Sequence, residues 1–233
     1  MFLSHNGVCS RRNAMDKVQE GHVRVNGELV TEPSFTVDPF KDAVEVDGVL
    51  IQKKGYAYLL LNKPADIAVT KEDEHAERIV MELLPPEYAH LNPVGRLDKD
   101  TEGLLLLTND GDVAYALTHP KFNVDKKYIV RIGGLLKPAE QKKLEQGVPI
   151  EGKVTAPAKI RVLSESDGRN EFEITIHEGR KRQVRLMLEA VGHRVMHLRR
   201  VAQGPLVLGG LPVGKWRPLT ETEIKKLKDL RTE

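Results

Sequence analysis

The apolar residues of this chain come in short runs, and that pattern limits the folds open to it. Residues 57–61, 104–108, 128–132, 160–163, 172–176 and 195–198 form runs of four or five residues, with Gly, Pro, Asn or Asp close by. Runs of that length flanked by turn formers read as strands. Helical patterns are confined to 11–20, 72–84, a short piece from Asp112 to Leu117, 138–146, 181–190 and the stretch after Thr220. Strands exceed helices, and the order lacks a strand-helix-strand rhythm. The expectation is an α+β chain whose central sheet is mixed and mainly antiparallel.

The first 50 residues read as a small module. Ser10 is placed to cap a helix over 11–20, and Gly21 to stop it. Val23 and Val25 alternate with polar neighbours, Asn26-Gly27 is a two-residue hairpin signal, and Leu29-Val30 begins the return strand. Val44, Val46 and Val49 sit around a second turn at Asp47-Gly48. Gln52 to Gly55 is polar and suits a linker. The expected division is a module over 1–51, a linker over 52–55 and a larger domain over 56–233. In that domain Lys63-Pro64 is read as stopping the first strand, and Asp112 as capping a short helix. Pro138 and Gly147 bracket another helix. Val184, Met187, Leu188 and Val191 stand at helical spacing before Gly192, and Thr220-Glu221-Thr222-Glu223 is a capping-box pattern for the last helix.

At 40% hydrophobic and 30% charged, the 233 residues suit a globular chain with a sizeable core. The one cysteine, Cys9, has no internal partner, which fits a reducing compartment. The apolar runs are too short to span a bilayer, and the opening residues lack the regions of a signal peptide. A cytoplasmic protein with no membrane partner is expected. The net charge of +2 does not itself call for nucleic acid, but its distribution points that way. Between Arg180 and Arg200 stand seven basic residues against the single acid Glu189. A second basic group, Arg11, Arg12, Lys17 and Arg24, opens the chain. A charge run is often only a solvated face. Two such groups on either side of a reactive-looking segment point instead to a polyanion.

That segment is Gly95-Arg96-Leu97-Asp98-Lys99-Asp100-Thr101-Glu102-Gly103, directly before Leu104. A carboxylate on a glycine-bounded loop at the mouth of a sheet is well placed as nucleophile or base. The plainer alternative is that Asp98, Asp100 and Thr101 only hydrogen-bond a turn. A second segment, Glu178-Gly179-Arg180-Lys181-Arg182-Gln183-Val184-Arg185, puts cations at a helix N-terminus, where the dipole disfavours them. A phosphate backbone would account for them, and loose surface charges are the alternative. Arg185 lies roughly 100° from the centre of the apolar stripe, at the margin of the buried face.

Gly95-Arg-Leu-Asp98, continued by Thr101-Glu-Gly-Leu-Leu-Leu-Leu-Thr-Asn-Asp-Gly111, resembles the catalytic motif of ribosomal RNA pseudouridine synthases of the RsuA/RluB type. Lys127-Tyr128 is similar to that family's second motif. Glu178 to Arg185, with Gly192-His193, is similar to its third. Gly7 to Arg12 and Gly21 to Gly27 resemble the RNA-binding domain named after ribosomal protein S4. The resemblance implies a synthase domain behind an S4-type module, and isomerisation of uridine to pseudouridine without metal, nucleotide or other cofactor. It implies that Asp98 is the essential aspartate, that Tyr128 packs against the target base, and that Arg185 pairs with the aspartate. The residues expected to grip RNA are Arg11, Arg12, Lys17 and Arg24 in the module, and Arg96, Arg180, Lys181, Arg182 and Gln183 around the site. The partner implied is ribosomal RNA or a ribosomal assembly intermediate. The pattern leans toward large-subunit RNA, with small-subunit RNA the alternative. Met1-Phe2-Leu3 falls inside the module's first helix, so that helix is expected to be short. Leu186 replaces a basic residue of many relatives, and Lys99-Asp100 varies in the family.

Two other readings were weighed against the same residues. Asp98-Lys99-Asp100-Thr101 superficially fits a magnesium-dependent aspartyl-phosphate motif, but Pro93, Gly95 and Arg96 precede it instead of an apolar strand. A non-catalytic RNA-binding assembly factor would need only the module and the basic helix. His193 and His197 have a metal-like spacing but stand on a turn and a strand, so no metal site is expected. Trp216 reads as core packing, and a monomer is expected.

Overall fold

The computed structural model describes residues 1–71, 77–166 and 169–230. The chain opens with α1 (Phe2–His5), four residues long, and α2 (Arg11–Gln19), whose Ser10 cap accepts from Asn13 N at 3.2 Å. Strands β1 (Val23–Val25), β2 (Glu28–Val30), β3 (Val44–Val46) and β4 (Val49–Leu50) make an antiparallel sheet in the order β2-β1-β3-β4. Asn26-Gly27 and Asp47-Gly48 turn their hairpins with positive φ at both residues, as a two-residue turn matched to strand twist requires. Val23, Val25, Val30, Val44 and Val46 close a small core with Leu3.

The rest of the described chain builds one larger sheet, a separate two-stranded hairpin and the helices around them. Its elements are β5 (Tyr58–Lys63), β6 (Asn92–Pro93), β7 (Glu102–Thr108), α3 (Gly111–Thr118), β8 (Lys126–Gly133), α4 (Pro138–Gln146), the small hairpin β9 (Pro149–Ile150) and β10 (Lys153–Val154), β11 (Lys159–Ser166), β12 (Arg169–Ile176), α5 (Gln183–Ala190), β13 (Val195–Gln203), β14 (Leu206–Val207), β15 (Trp216–Pro218) and α6 (Glu221–Asp229). The strand order is β11-β12-β8-β13-β7-β5-β15, with β14 on β13 and β6 on β7. Among the described strands of this sheet β13 and β7 run parallel and the other pairs are antiparallel.

Burial explains the two sequence patterns in these strands. Leu59, Leu61, Leu105 and Leu107 face the larger core, where α5 packs, while Leu60, Leu104 and Leu106 face a second core closed by α3 and α6. Strands covered on both faces need continuous apolar runs, and at about 2 kcal/mol per buried leucine they anchor the domain. β8 instead alternates. Tyr128, Val130 and Ile132 point into the larger core, and Lys127 and Arg131 point out to pair with Glu173 and Glu171.

Three local expectations need correction. The helix expected over 72–84 is a 3-10 turn at Val80–Leu83 where it is described, and 72–76 lie outside the described residues. The cap of α3 is Asp110, not Asp112. Its Oδ1 accepts from Asp112 N and Val113 N, and its Oδ2 accepts from the Tyr58 hydroxyl at 2.7 Å. α5 begins at Gln183 rather than Lys181, because Arg182 takes a left-handed φ of 53° before it. β5 runs two residues past Leu61 and stops at Lys63, before Pro64, and Lys63 is fully buried.

α6 closes the second core through Leu227, and its first turn is held by Glu223. Arg217 clamps that carboxylate with two bonds of 2.7 and 2.8 Å, and Thr220 donates to it as well. These donors hold the Glu223 carboxyl well below the usual glutamate range, at about 2. Because the folded chain protonates there less readily than the unfolded chain, the contribution is complete above the ordinary value of 4.5 and is lost as pH falls through about 2. Urea unfolding of Glu223→Gln should therefore show a loss of about 1–2 kcal/mol at neutral pH that disappears on acidification toward that limit.

Candidate active site

The loop between β6 and β7 is built from beneath. Leu97 is buried in the larger core and anchors it. Thr101 N donates to Asp98 O at 3.0 Å and closes a turn. Under that turn lies Lys63, whose ammonium donates to the carbonyls of Pro64 (2.9 Å), Lys99 (3.1 Å) and Thr101 (2.9 Å). Burial pushes this lysine down to about 8, against the pull of Asp100, Asp66, Glu102 and Asp98. Gly103 ends the loop at φ 106°, and a side chain there would overlap the backbone of Arg200 on β13.

Asp98 lies half-buried on the wall of an open cavity of about 700 Å³. Tyr128 of β8, Leu198 and Arg200 of β13 and the segment 177–184 complete it. The two aspartates of the loop differ in employment. Asp100 is paired with Arg185 at 3.2 Å and Arg182 at 3.5 Å. The Asp98 carboxylate makes no hydrogen bond or ion pair with a described residue, so it is the one left available for chemistry. This corrects the expected Asp98–Arg185 pair. The turn presents Asp98 to the cavity and Asp100 to α5, so Arg185 Nη2 bonds Asp100 O (2.9 Å) and Thr101 Oγ1 (3.4 Å) instead. Burial lowers the Arg185 pKa, and both aspartates oppose that shift.

The basic residues divide in the same way. Arg96, Lys181 and Arg182 are exposed at the cavity mouth. Arg180 uses its guanidinium on Lys153 O (3.1 Å) and Val154 O (2.8 Å), tying the segment to β10. Gln183, expected to touch RNA, is 3% exposed. Its amide accepts from Arg180 N at 3.0 Å and donates to Glu178, so both ends serve its own loop. On the module, Arg11 and Arg12 are exposed, with the Arg11 guanidinium lying against Gly111 at the start of α3. Lys17 pairs with Asp47 at 2.9 Å, and Arg24 bonds Gly27 O at 2.9 Å. His193 and His197 bond separate carboxylates, Glu140 and Glu102.

Sequence reasoning missed Lys63, Arg200 and Gln203 as parts of the site. Lys63 carried a faint signal, a lysine directly after an apolar run. Arg200 and Gln203 carried none beyond membership in a basic stretch.

An uncommitted carboxylate and a tyrosine on the wall of one cavity, rimmed by cations, fit an enzyme that acts on a nucleic acid. Comparison with known proteins makes this definite. The family model for RNA pseudouridylate synthases matches residues 57–190, and the S4 domain model matches residues 1–44. The ribosomal large subunit pseudouridine synthase B of Bacillus subtilis (strain 168) is 41% identical over 230 residues, covering 98% of this chain and 94% of that one. An uncharacterised RNA pseudouridine synthase of Aquifex aeolicus (strain VF5) is 40% identical over 97% of this chain and 91% of its own. A crystal structure of a pseudouridylate synthase superposes with a TM-score of 0.70 at 31% identity and covers 97% of both chains. The chain belongs to the RNA pseudouridylate synthase family, which isomerises uridine to pseudouridine in RNA.

The geometry gives Lys63 a testable weight. Lys63→Met would take a donor from three carbonyls, of which Lys99 O keeps its bond from Asp66 N, so the cost is about 1–3 kcal/mol for each of the other two before relaxation. Its urea midpoint should fall, and turnover should fall further than RNA affinity because the loop that carries Asp98 loosens.

Proposed function

We propose that this chain converts one uridine of large-subunit ribosomal RNA, free or in an assembly intermediate, to pseudouridine, with Asp98 as the reacting carboxylate. The observation that carries the reading is the difference between the two aspartates. Asp100 is bound into the loop by two arginines, while Asp98 stands on the cavity wall with its carboxylate uncommitted. The ribosomal substrate is supported by the Bacillus subtilis relative, whose name assigns it to the large subunit. The S4 domain and the exposed Arg96, Lys181 and Arg182 supply the phosphate contacts such a substrate needs. The cytoplasm is the compartment this substrate implies, and among the described residues no helix is long and apolar enough to cross a membrane.

The target uridine has to leave its stack to enter the cavity, at a cost of a few kcal/mol that contacts to neighbouring phosphates offset. Tyr128 offers the ring face against which the displaced base rests and a hydroxyl for proton transfer. Asp98 then attacks the ribose anomeric carbon or the uracil ring, or assists deprotonation of the ribose, and each of these needs the ionised carboxylate. Arg185 acts at one remove. By holding Asp100 and Thr101 it fixes the turn. Arg180 and Gln183 shape the segment that presents Lys181 and Arg182. Arg11, Arg12, Lys17 and Arg24 belong to the module's contribution to RNA binding.

The test is to map pseudouridine in total ribosomal RNA after treatment with the wild-type chain and with Asp98→Asn, using carbodiimide-stop sequencing. The wild type should create one modified position. Asp98→Asn should retain its fold by circular dichroism and lose turnover by about 10⁴-fold or more. A folded Asp98→Asn chain that works at near wild-type rate would show that another group carries the reaction.

A further inference from the structure

Two buried polar side chains on the cavity wall carry atoms that no described residue satisfies. β13 passes Arg200 and Gln203 through that wall at 2% and 1% exposure. Their odd spacing would put them on opposite faces of a regular strand. The register of β13 against β8 is irregular between Arg200 and Ala202, which resets the alternation, and both side chains line the cavity that holds Asp98 and Tyr128. Arg200 pairs in register with Tyr128 itself.

Each side chain is fixed at one end and open at the other. Arg200 Nε donates to Leu104 O at 2.9 Å, and Nη2 is left buried without a partner. Gln203 Nε2 donates to Leu117 O at 3.3 Å, and Oε1 is left buried without a partner. Buried polar atoms are nearly always paired in native folds, and an unpaired one costs free energy. One unsatisfied donor and one unsatisfied acceptor, on two residues that line the substrate cavity, are therefore groups for a ligand, which they meet by a side-chain adjustment because neither atom is open to solvent here.

We propose that Arg200 and Gln203 hold the target uracil by its imide edge, a refinement that rests on the uridine-isomerising function above. Arg200 Nη2 donates to a ring carbonyl oxygen, and Gln203 Oε1 accepts from N3–H. The overall reaction exchanges N1 for C5 as the atom bonded to ribose. A half-turn of the ring about the line through N3 and C6 makes that exchange. It leaves N3–H where it was and swaps O2 with O4. An acceptor on N3–H is thus a pivot, and a donor on one flanking carbonyl meets an equivalent oxygen after the turn. The same two contacts serve the uridine, the detached base and the product.

The experiment uses a synthetic RNA spanning the position that the wild-type chain modifies, made with uridine, N3-methyluridine or an abasic ribose there. The wild type should bind the uridine RNA about tenfold or more tighter than the other two. Arg200→Met and Gln203→Leu should each lose that preference while binding the abasic RNA as the wild type does. Their single-turnover rates on the uridine RNA should fall about 100-fold, with partial recovery in Arg200→Lys. Unchanged preference and rate in a folded Arg200→Met chain would overturn the assignment. Equal weakening of the abasic RNA would also overturn it, since Arg200 would then grip the backbone. If the variants do not fold, the wild type with 2-thiouridine and 4-thiouridine RNA decides. Slower turnover on at least one, where sulfur is the poorer acceptor, supports the contact, and full rates on both overturn it. A wild-type chain that modifies no ribosomal RNA fails at the first step and overturns the function together with this refinement.

Discussion

A lysine ammonium closed off from water carries the loop on which Asp98 stands. Lys63 ends a strand buried on both faces, so its charge has no route to solvent. The chain offsets that desolvation with three carbonyl oxygens, two of them from residues 99 and 101 of the reactive loop. A charged amine has three protons for these three acceptors, whereas a neutral amine has two. The protonation of one side chain therefore sets whether the loop is fully tied down. From the other side Arg185 and Arg182 hold Asp100, so the turn is gripped from β5 and from α5 together. Asp98 lies between the two grips, and the role proposed for its carboxylate needs such a fixed distance and angle.

The sheet supplies the second half of the geometry. Its parallel junction, β7 against β13, brings the loop before β7 alongside the strand that carries Arg200. That junction is close enough that Gly103 admits no side chain. β13 then pairs with β8, which sets Tyr128 directly across from Arg200. The continuous leucines of β5 and β7 bury this region on both faces. The alternating β8 and β12 leave their outer face to ion pairs, away from the chemistry.

Much of this was legible because it is local. Asn26-Gly27, Ser10, Pro138 with Gly147 and the Thr220 capping box each act within a few residues, and each forms where the residues indicate. The short runs gave the strands and the fold class for the same reason. The two- and three-residue strands β6, β9, β10, β14 and β15 were invisible, since they lack the length to show a period and exist through their partners. Asp112 and Asp110 were confused because capping depends on which carboxylate the preceding strand turns inward, and the Tyr58 hydroxyl settles it. The strand stop at Lys63-Pro64 is local and legible, but the burial of the Lys63 ammonium is not, because two of its three acceptors lie 36 and 38 residues away. At the site, the motifs pointed to Asp98, Tyr128 and Arg185, and the structure puts the first two on one cavity and the third on Asp100, a pairing that no motif indicates. The cavity-facing Gln203 depends on a strand irregularity that no residue announces.

The claim at the centre is that Lys63 works as a buried ammonium beneath the Asp98 loop. Its side-chain nitrogen can be followed by NMR across pH in the intact chain labelled with nitrogen-15 at lysine. The account predicts a midpoint near 8 for Lys63, set apart from the surface lysines. A midpoint at the ordinary lysine value of 10.5 would mean that the group is hydrated and that the loop is held by something else.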